Sequence, residues 1–210
     1  MIFLKKQKNN LTERKIKNIS SGFTIVEAMV AIFILTISVS AMLNVTASSA
    51  ISARYSRNEI TANYLLQEAI DSVKNSRDTI AFQMKDSGGG WDNFLARYGY
   101  PNSRCFSSNG CDFKIDIFDP TNSLGIDILD CPSSGCPALS YNASGGTSLF
   151  YNHITGVGAV TSIFTRKVNM VRNISNPDEL KITAVVTWKN EASTTTKTQI
   201  LEMSLLNWQK

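Results

Sequence analysis

The residue with the strongest chemical signal in this 210-residue chain is Glu27, a lone carboxylate just before an uncharged apolar run from Ala28 to Val45. A charge inside an apolar segment of bilayer length costs about 2.5–3.5 kcal/mol on insertion scales, so such a charge usually has a function. A cut between Gly22 and Phe23 would create a new amino-terminal ammonium close to this carboxylate. The two charges are costly alone in an apolar bundle and offset one another when they pair between chains. The alternative is a solvated or protonated carboxylate at a membrane interface.

The second group of residues with chemical potential is four cysteines in two close pairs, Cys105 with Cys111 and Cys131 with Cys136. An even number of cysteines outside the membrane is typical of disulfides, although four cysteines permit three pairings. We expect a disulfide within each pair. A zinc site of four thiolates is an alternative, but both spacings are longer than those of a zinc knuckle. Free thiols are the third alternative.

The remaining candidates for catalysis or metal binding are weaker. His153 is the only histidine and has no second histidine, cysteine or acid nearby at ligand spacing, so we expect a surface or packed residue instead of a catalytic base. Neither a Gly-x-Ser-x-Gly nucleophile nor a phosphate-binding loop is present, and we expect no enzyme activity. Five aspartates lie close together in sequence but lack EF-hand spacing. The simpler explanation is that they lie on a solvated strand face, and we expect no metal. A Ca²⁺ site is the alternative. These aspartates are Asp112, Asp116, Asp119, Asp127 and Asp130.

The charge of the chain is concentrated in residues 1–22, which hold six basic residues and one acid. The net charge of +4 is therefore +5 in this leader and −1 in the rest. Positive charge is retained on the cytoplasmic side of membranes, so the leader is predicted to be cytoplasmic and the apolar run to exit on the far side. The slightly acidic remainder argues against a nucleic-acid-binding surface, and no nucleic-acid partner is expected.

The elements that position these residues begin with a long helix. Phe23 to Val45 would span about 34 Å as a helix, enough to cross about 30 Å of hydrocarbon. Ser48 to Phe82 contains no proline or glycine, so we expect the helix to continue until Ser87–Gly90 ends it. The apolar stripe of this continuation consists of Tyr55, Ala62, Leu66, Ala69, Val73 and Ile80. The charged residues assigned to its solvated face are Arg57, Glu68, Asp71, Lys74 and Asp78.

The carboxyl-terminal part is predicted to be mostly sheet. Apolar and polar residues alternate through the last third of the chain, as expected for strands with one covered face. Short turns between these strands favour an antiparallel meander that packs on the helix stripe, giving an α+β fold. A short helix is expected over Trp91–Tyr98. The predicted strands are a hairpin of Asp112–Phe118 with Leu124–Asp130, then Ser162–Asn173, Leu180–Lys189 and Leu201–Leu206.

The basic leader, the uncharged run and the sequence Gly22-Phe23-Thr24-Ile25-Val26-Glu27 together resemble the class III signal of type IV prepilins and type II secretion pseudopilins. The tail is similar to V-type minor pilins in its Val186-Thr187-Trp188 and its terminal Asn207-Trp208. The resemblance implies that a prepilin peptidase cleaves after Gly22 and N-methylates Phe23. It also implies that Glu27 pairs with the amino terminus of a neighbouring subunit during assembly.

The same resemblance implies a structural subunit of a pilus or filament tip, most like a minor pilin. Residues 1–22 would be a cleaved leader, 23–47 a transmembrane and filament-core helix, 48–86 its amphipathic continuation and 87–210 a globular sheet domain with two cysteine-pair loops. The implied partners are prepilin peptidase, other pilin subunits, an inner-membrane assembly platform and the lipid bilayer. The implied location is the inner membrane, in a single pass with the carboxyl-terminal domain outside, followed by the pilus at the cell surface.

Two alternatives stay open from the sequence. One is a pseudopilin of a type II secretion system, which shares the same signal. The other is a secreted or membrane-anchored binding module with an ordinary signal sequence, cleaved near Ser38–Ser40 just before Ala41.

Overall fold

The fold consists of a long helix followed by a mainly antiparallel sheet. The computed structural model describes residues 22–115, 124–142, 152–153, 158–189 and 195–208. These residues divide into two compact units, with the boundary between Ser52 and Ala53. The α+β prediction is confirmed.

The long helix, α1 (Ile25–Gln83), is continuous over 59 residues, as the absence of internal glycine and proline predicts. Its last turn leads into Gly88, whose backbone N–H donates to the carbonyl of Met84 at 3.0 Å. Gly88 and Gly89 have φ values of 67° and 74°, a left-handed conformation that glycine adopts without steric cost. The glycine run therefore ends the helix where the sequence indicated.

The described residues of the first unit are the amino-terminal part of α1 and the three residues that precede it. Every side chain from Phe23 to Ala50 is exposed except that of Ala28, which is half-buried. Hydroxyl side chains in this stretch donate to backbone carbonyls three or four residues earlier, so their polar groups are satisfied within the helix. Those residues are Thr36, Ser38, Ser40, Thr46 and Ser48.

The second unit contains the rest of α1 and the sheet. The strand order is β2-β1-β4-β5-β6, with β3 also paired to β4, and all pairings are antiparallel. The elements after α1 are α2 (Gly90–Arg97), a short 3-10 helix (Arg104–Phe106), β1 (Cys111–Ile115), β2 (Ile126–Asp130), β3 (Ala138–Asn142), β4 (Ala159–Arg172), β5 (Glu179–Lys189) and β6 (Thr196–Leu206). The predicted meander is the β4-β5-β6 part of this sheet, and the predicted short helix is α2.

The core lies between the inner face of the sheet and the second part of α1. Alternate residues of β4 and β5 are buried, and they form one cluster with the buried stripe of α1. Burial of a large apolar side chain stabilises a fold by about 1.5–3 kcal/mol, so this cluster fixes the helix against the sheet. The core members from α1 are Ala62, Leu65, Leu66, Ala69, Ile70, Val73 and Ile80.

Several predictions about individual residues are wrong. Tyr55 is exposed instead of packed in the stripe, and the ammonium of Lys197 lies 5.6 Å from its ring centroid. Glu68 is half-buried, and Asp112 is fully buried, because both pair with the same arginine of the sheet. Strand β3 was not predicted. The sequence predicts a turn at 119–122 within the hairpin and another at 190–193 between the last two strands, and both turns lie outside the described residues.

Candidate functional site

The predicted processing segment lies at the start of α1. Thr24 caps the helix, because its hydroxyl oxygen accepts a hydrogen bond from the backbone N–H of Glu27 at 3.2 Å, and its carbonyl accepts one from Ala28 at 3.1 Å. The pair Thr24 and Glu27 has the spacing of a capping box, with the acid in the first turn, where the helix dipole favours negative charge. Gly22 and Phe23 precede the helix and are exposed.

Glu27 has an exposed carboxylate that pairs with no cation among the described residues. The phenyl ring of Phe23 is 71% exposed. Gly22, Phe23 and Glu27, the residues predicted for cleavage, methylation and pairing, are therefore not packed against any described part of this chain. An apolar, singly charged surface of this kind requires another environment to cover it.

That surface continues along the first part of α1. The helix contains one stretch that is long and apolar enough to cross a membrane, by length and composition, and none of that stretch is buried within the chain. Six-tenths or more of the side chains of Ile32, Phe33 and Leu35 are exposed. An apolar core helix of a water-soluble domain would have these side chains covered.

The four cysteines form the two local disulfides that were predicted. Cys105 is bonded to Cys111, with their Cα atoms 4.6 Å apart, and Cys131 is bonded to Cys136, with their Cα atoms 4.4 Å apart. No cysteine is free. The first disulfide joins the 3-10 helix to β1, and the backbone N–H of Cys131 donates to the carbonyl of Gly110 beside it. The two bridges therefore secure one end of the β1–β2 hairpin.

A buried polar cluster that we did not predict from the sequence lies inside the second unit. Arg166, on β4, is completely buried and donates to Asp112 at 2.6 Å, to Glu68 at 2.6 Å and to the carbonyl of Phe113 at 2.9 Å. His153 Nε2 lies 2.6 Å from the second oxygen of Asp112. The cluster joins α1, β1, β4 and the described segment at 152–153 through charge-assisted contacts.

The cluster shifts the pKa of two of its members. Burial raises the pKa of Glu68, although the charge of Arg166 acts in the opposite direction. Burial lowers the pKa of Arg166, but the neighbouring charges of Asp112 and Glu68 outweigh this effect and raise it overall. Arg166 therefore stays charged inside the core, where only its paired carboxylates make that charge tolerable.

A signal for this cluster was present in β4. Its inward positions are Phe164, Arg166, Val168 and Met170, all buried, so a lone cation interrupts an otherwise apolar face. Such a cation requires a carboxylate partner from another element, since a buried unpaired charge is prohibitively costly. The partner residues are 54 and 98 positions away in sequence, and local spacing could not identify them.

The structure shows the surroundings of His153 and of three of the five aspartates. His153 is packed against Asp112, which is one of the two environments predicted for it, although its acidic partner was not predicted. Asp112 is buried, so the prediction that the acids lie on a solvated face is wrong for this residue, whereas Asp127 and Asp130 are exposed. The described residues contain no group of three or more histidine, cysteine or acidic side chains that could hold a metal ion. Asp116 and Asp119 lie outside those residues.

The two tryptophan motifs of the tail have different environments. Trp188 is 3% exposed and packs in the core beside Phe164, with ring centroids 6.2 Å apart. Trp208 is 59% exposed, and its indole N–H donates to a carboxylate oxygen of Asp78 on α1 at 3.1 Å. Asn207 donates its backbone N–H to the carbonyl of Asp178 at 2.8 Å. The tail is thereby fixed to the end of α1 and to the β4–β5 turn.

Comparison with protein families gives a match, whereas comparison with individual proteins does not. No curated protein and no solved structure matches the chain. Residues 17–43 match the family model of the prokaryotic N-terminal methylation motif. The matched segment contains Gly22, Phe23 and Glu27, together with most of the apolar part of α1. The motif, with the apolar helix and the sheet that follows it, supports a type IV pilin-like chain.

Proposed function

We propose that this chain is the precursor of a minor pilin. Prepilin peptidase removes residues 1–22 and methylates Phe23, and the mature chain assembles through α1 into a pilus or filament tip. The observation that carries the proposal is the coincidence of the methylation motif with an exposed apolar stretch at the start of α1 whose single carboxylate is Glu27. The subunit is structural and not an enzyme.

The proposed assembly uses the exposed surface of α1 as the contact between subunits. In the membrane, lipid covers the apolar side chains, and in the filament the helices of other pilin subunits replace the lipid. The charge of Glu27 is then removed from water and needs a cation. The amino-terminal ammonium of Phe23 in a neighbouring subunit supplies it, and a subunit in the wrong register would leave both charges unpaired. The assembly platform of the inner membrane drives the transfer.

The subtype and the location are also part of the proposal. The similarity of Val186-Thr187-Trp188 and the Asn207-Trp208 tail to V-type minor pilins supports that subtype. Trp188 is a core residue, and the tail is held by the hydrogen bond from Trp208 to Asp78. The basic leader supports a cytoplasmic amino terminus, with the sheet domain outside the inner membrane and later at the cell surface.

The amino terminus of the mature chain tests the processing step. Mass spectrometry of protein purified from membranes should find a chain that begins with N-methylated Phe23. A start at Ala41 or later would contradict the proposal and support a binding module with an ordinary signal sequence. An uncut leader in cells that contain an active prepilin peptidase would contradict it as well.

The variant Glu27→Ala tests the pairing step. Membrane insertion and cleavage should continue, while the amount of subunit in sheared filaments should fall at least about tenfold, the effect of losing ~1.4 kcal/mol of pairing. Glu59→Ala is the matched control, because Glu59 is also an exposed acid of α1 but lies beyond the apolar run. Normal incorporation of Glu27→Ala would show that the pairing is not needed.

A pseudopilin of a type II secretion system is the alternative within the same class, since it would use the same motif and the same helix. Deletion of the chain should abolish a pilus-dependent phenotype and leave enzyme secretion unchanged. The opposite pattern would assign the chain to secretion.

A further inference from the structure

A cleft of about 550 Å³ lies in the second unit, where the end of α1, the start of α2, the β4–β5 turn and the tail meet. Its volume falls within the range of about 300–1,000 Å³ of small-molecule sites. The cleft is lined by two tryptophans, a glycine run and charged side chains of both signs. None of the residues that line it belongs to the processing segment or to the apolar stretch of α1.

One wall of the cleft is the indole ring of Trp208, which is exposed but held in position. Its N–H donates to Asp78 at 3.1 Å, and the preceding Asn207 donates from its backbone and its side chain to Asp178 at 2.8 Å and 3.0 Å. Asp78 in turn accepts from Arg77 at 2.7 Å. A ring fixed in this way loses little freedom when a ligand stacks on it, which favours binding.

The other walls of the cleft leave space for a ligand and contain polar side chains that could bind it. Gly88 has an exposed backbone, and a Cβ atom there would meet no atom within 4 Å. Lys85 and Asp92 are exposed, and their side chains form no hydrogen bond or ion pair with another described residue. Arg172 is fixed by a hydrogen bond to the carbonyl of Pro177 at 2.8 Å and by the ring of Tyr100, 5.1 Å away.

The combination of a flat aromatic face with both a free carboxylate and a free ammonium matches the chemistry of a sugar ring. A pyranose has C–H groups on its faces, which stack on an indole, and hydroxyl groups at its rim, which both donate and accept hydrogen bonds. An apolar peptide would instead desolvate Lys85 and Asp92 without pairing them, which is costly. We propose that this cleft binds a hexopyranose unit of a glycan, with Trp208 as the stacking face and Asp92 and Lys85 as partners of the hydroxyls.

The test uses the full mature chain in a detergent without a sugar headgroup, applied to a printed glycan array. Saturation-transfer NMR with the free monosaccharides of the bound glycans then measures the contact. Trp208→Ala and Asp92→Asn should each weaken binding at least about tenfold. Trp208→Phe, which keeps an aromatic face but loses the N–H bond to Asp78, should weaken it less than Trp208→Ala. Tyr64→Ala is the control, because Tyr64 is an aromatic of α1 that is 67% exposed and does not line the cleft.

Three results would overturn the proposal. The first is an array on which no glycan binds above a blank. The second is binding that Trp208→Ala and Asp92→Asn leave unchanged. The third is an effect of these variants on capture of other pilin subunits without any glycan binding, which would make the cleft a subunit contact. If Trp208→Ala does not fold, Asp92→Asn decides alone, since the exposed Asp92 side chain forms no hydrogen bond or ion pair with another described residue.

Discussion

Replacement of Arg166 by methionine should strongly destabilise the second unit. The guanidinium is completely buried and donates to Asp112, Glu68 and the carbonyl of Phe113 at 2.6, 2.6 and 2.9 Å. Methionine fills a similar volume but removes every one of these contacts. Asp112 would then keep a buried charge, with His153 as its remaining side-chain partner among the described residues. Loss of one partner of a buried pair costs about 3–5 kcal/mol.

That loss is large compared with the whole stability of a domain, which is about 5–15 kcal/mol. Equilibrium urea denaturation of the mature chain in detergent, followed by tryptophan fluorescence, measures it, because Trp188 is buried in the core. The control is Lys181→Met, which removes the exposed ion pair with Glu202 at 2.9 Å. Exposed pairs contribute about 0–1 kcal/mol, so this variant should unfold close to the parent.

A double variant separates two contributions to the free energy of unfolding: the destabilisation by an unpaired buried charge and the stabilisation by the ion pair. Arg166→Met with Asp112→Leu replaces these two charges by apolar groups, and it should be more stable than Arg166→Met alone because no fully buried carboxylate is left, only the half-buried Glu68. If Arg166→Met unfolds within about 1 kcal/mol of the parent, the cluster is not desolvated as the geometry requires, and the reasoning fails.

Three other changes have predictable effects. Because burial raises the pKa of Glu68, the stability that its protonation contributes is present below the unfolded value of 4.5 and is lost as the pH rises through the folded value. The denaturation midpoint of Glu68→Gln should therefore change less with pH than that of the parent as the pH rises above 4.5. Replacement of Cys131 and Cys136 by serine should cost about 2 kcal/mol in the same assay and leave a single bridge in non-reduced peptide mass maps. Gly99→Ala should lower the melting temperature more than Gly135→Ala. Both glycines have positive φ, but only at Gly99 would a Cβ atom meet backbone, at 2.5 Å.

The sequence was sufficient for the parts of the fold that depend on local pattern. Strand β5 alternates apolar and polar residues over most of its length, whereas β4 does so only from Phe164 onward and β6 only from Leu201 onward. Helix α1 contains no glycine or proline. Strand β3 has no such signal. Its five residues, Ala138–Asn142, are ordered by pairing with β4 and by the mutual backbone hydrogen bonds of Ser140 and Asn152. A strand stabilised by partners distant in sequence cannot be identified from its own composition.

The same limit explains the errors about charged residues. Glu68 lies on the helix face that was assigned to solvent, and Asp112 alternates with apolar residues as a solvated strand residue would. Both predictions assumed that a charged side chain is exposed to solvent. That assumption fails when another element of the fold supplies a buried cation. Arg166 is that cation, and its inward position on β4 was the one local clue.

Glu27 and Asp112 show two ways in which this chain accommodates a costly carboxylate. Asp112 is buried, and its oxygens contact Arg166, His153 and the N–H of Phe113, so its charge is compensated within one chain. Glu27 accepts no hydrogen bond from another described side chain, although it begins the most apolar segment of the molecule. The same chain provides several partners for Asp112, so the lack of a described partner for Glu27 does not reflect a general shortage of hydrogen-bonding groups. The difference supports a partner for Glu27 that belongs to another molecule, and the proposed filament supplies one in each neighbouring amino terminus.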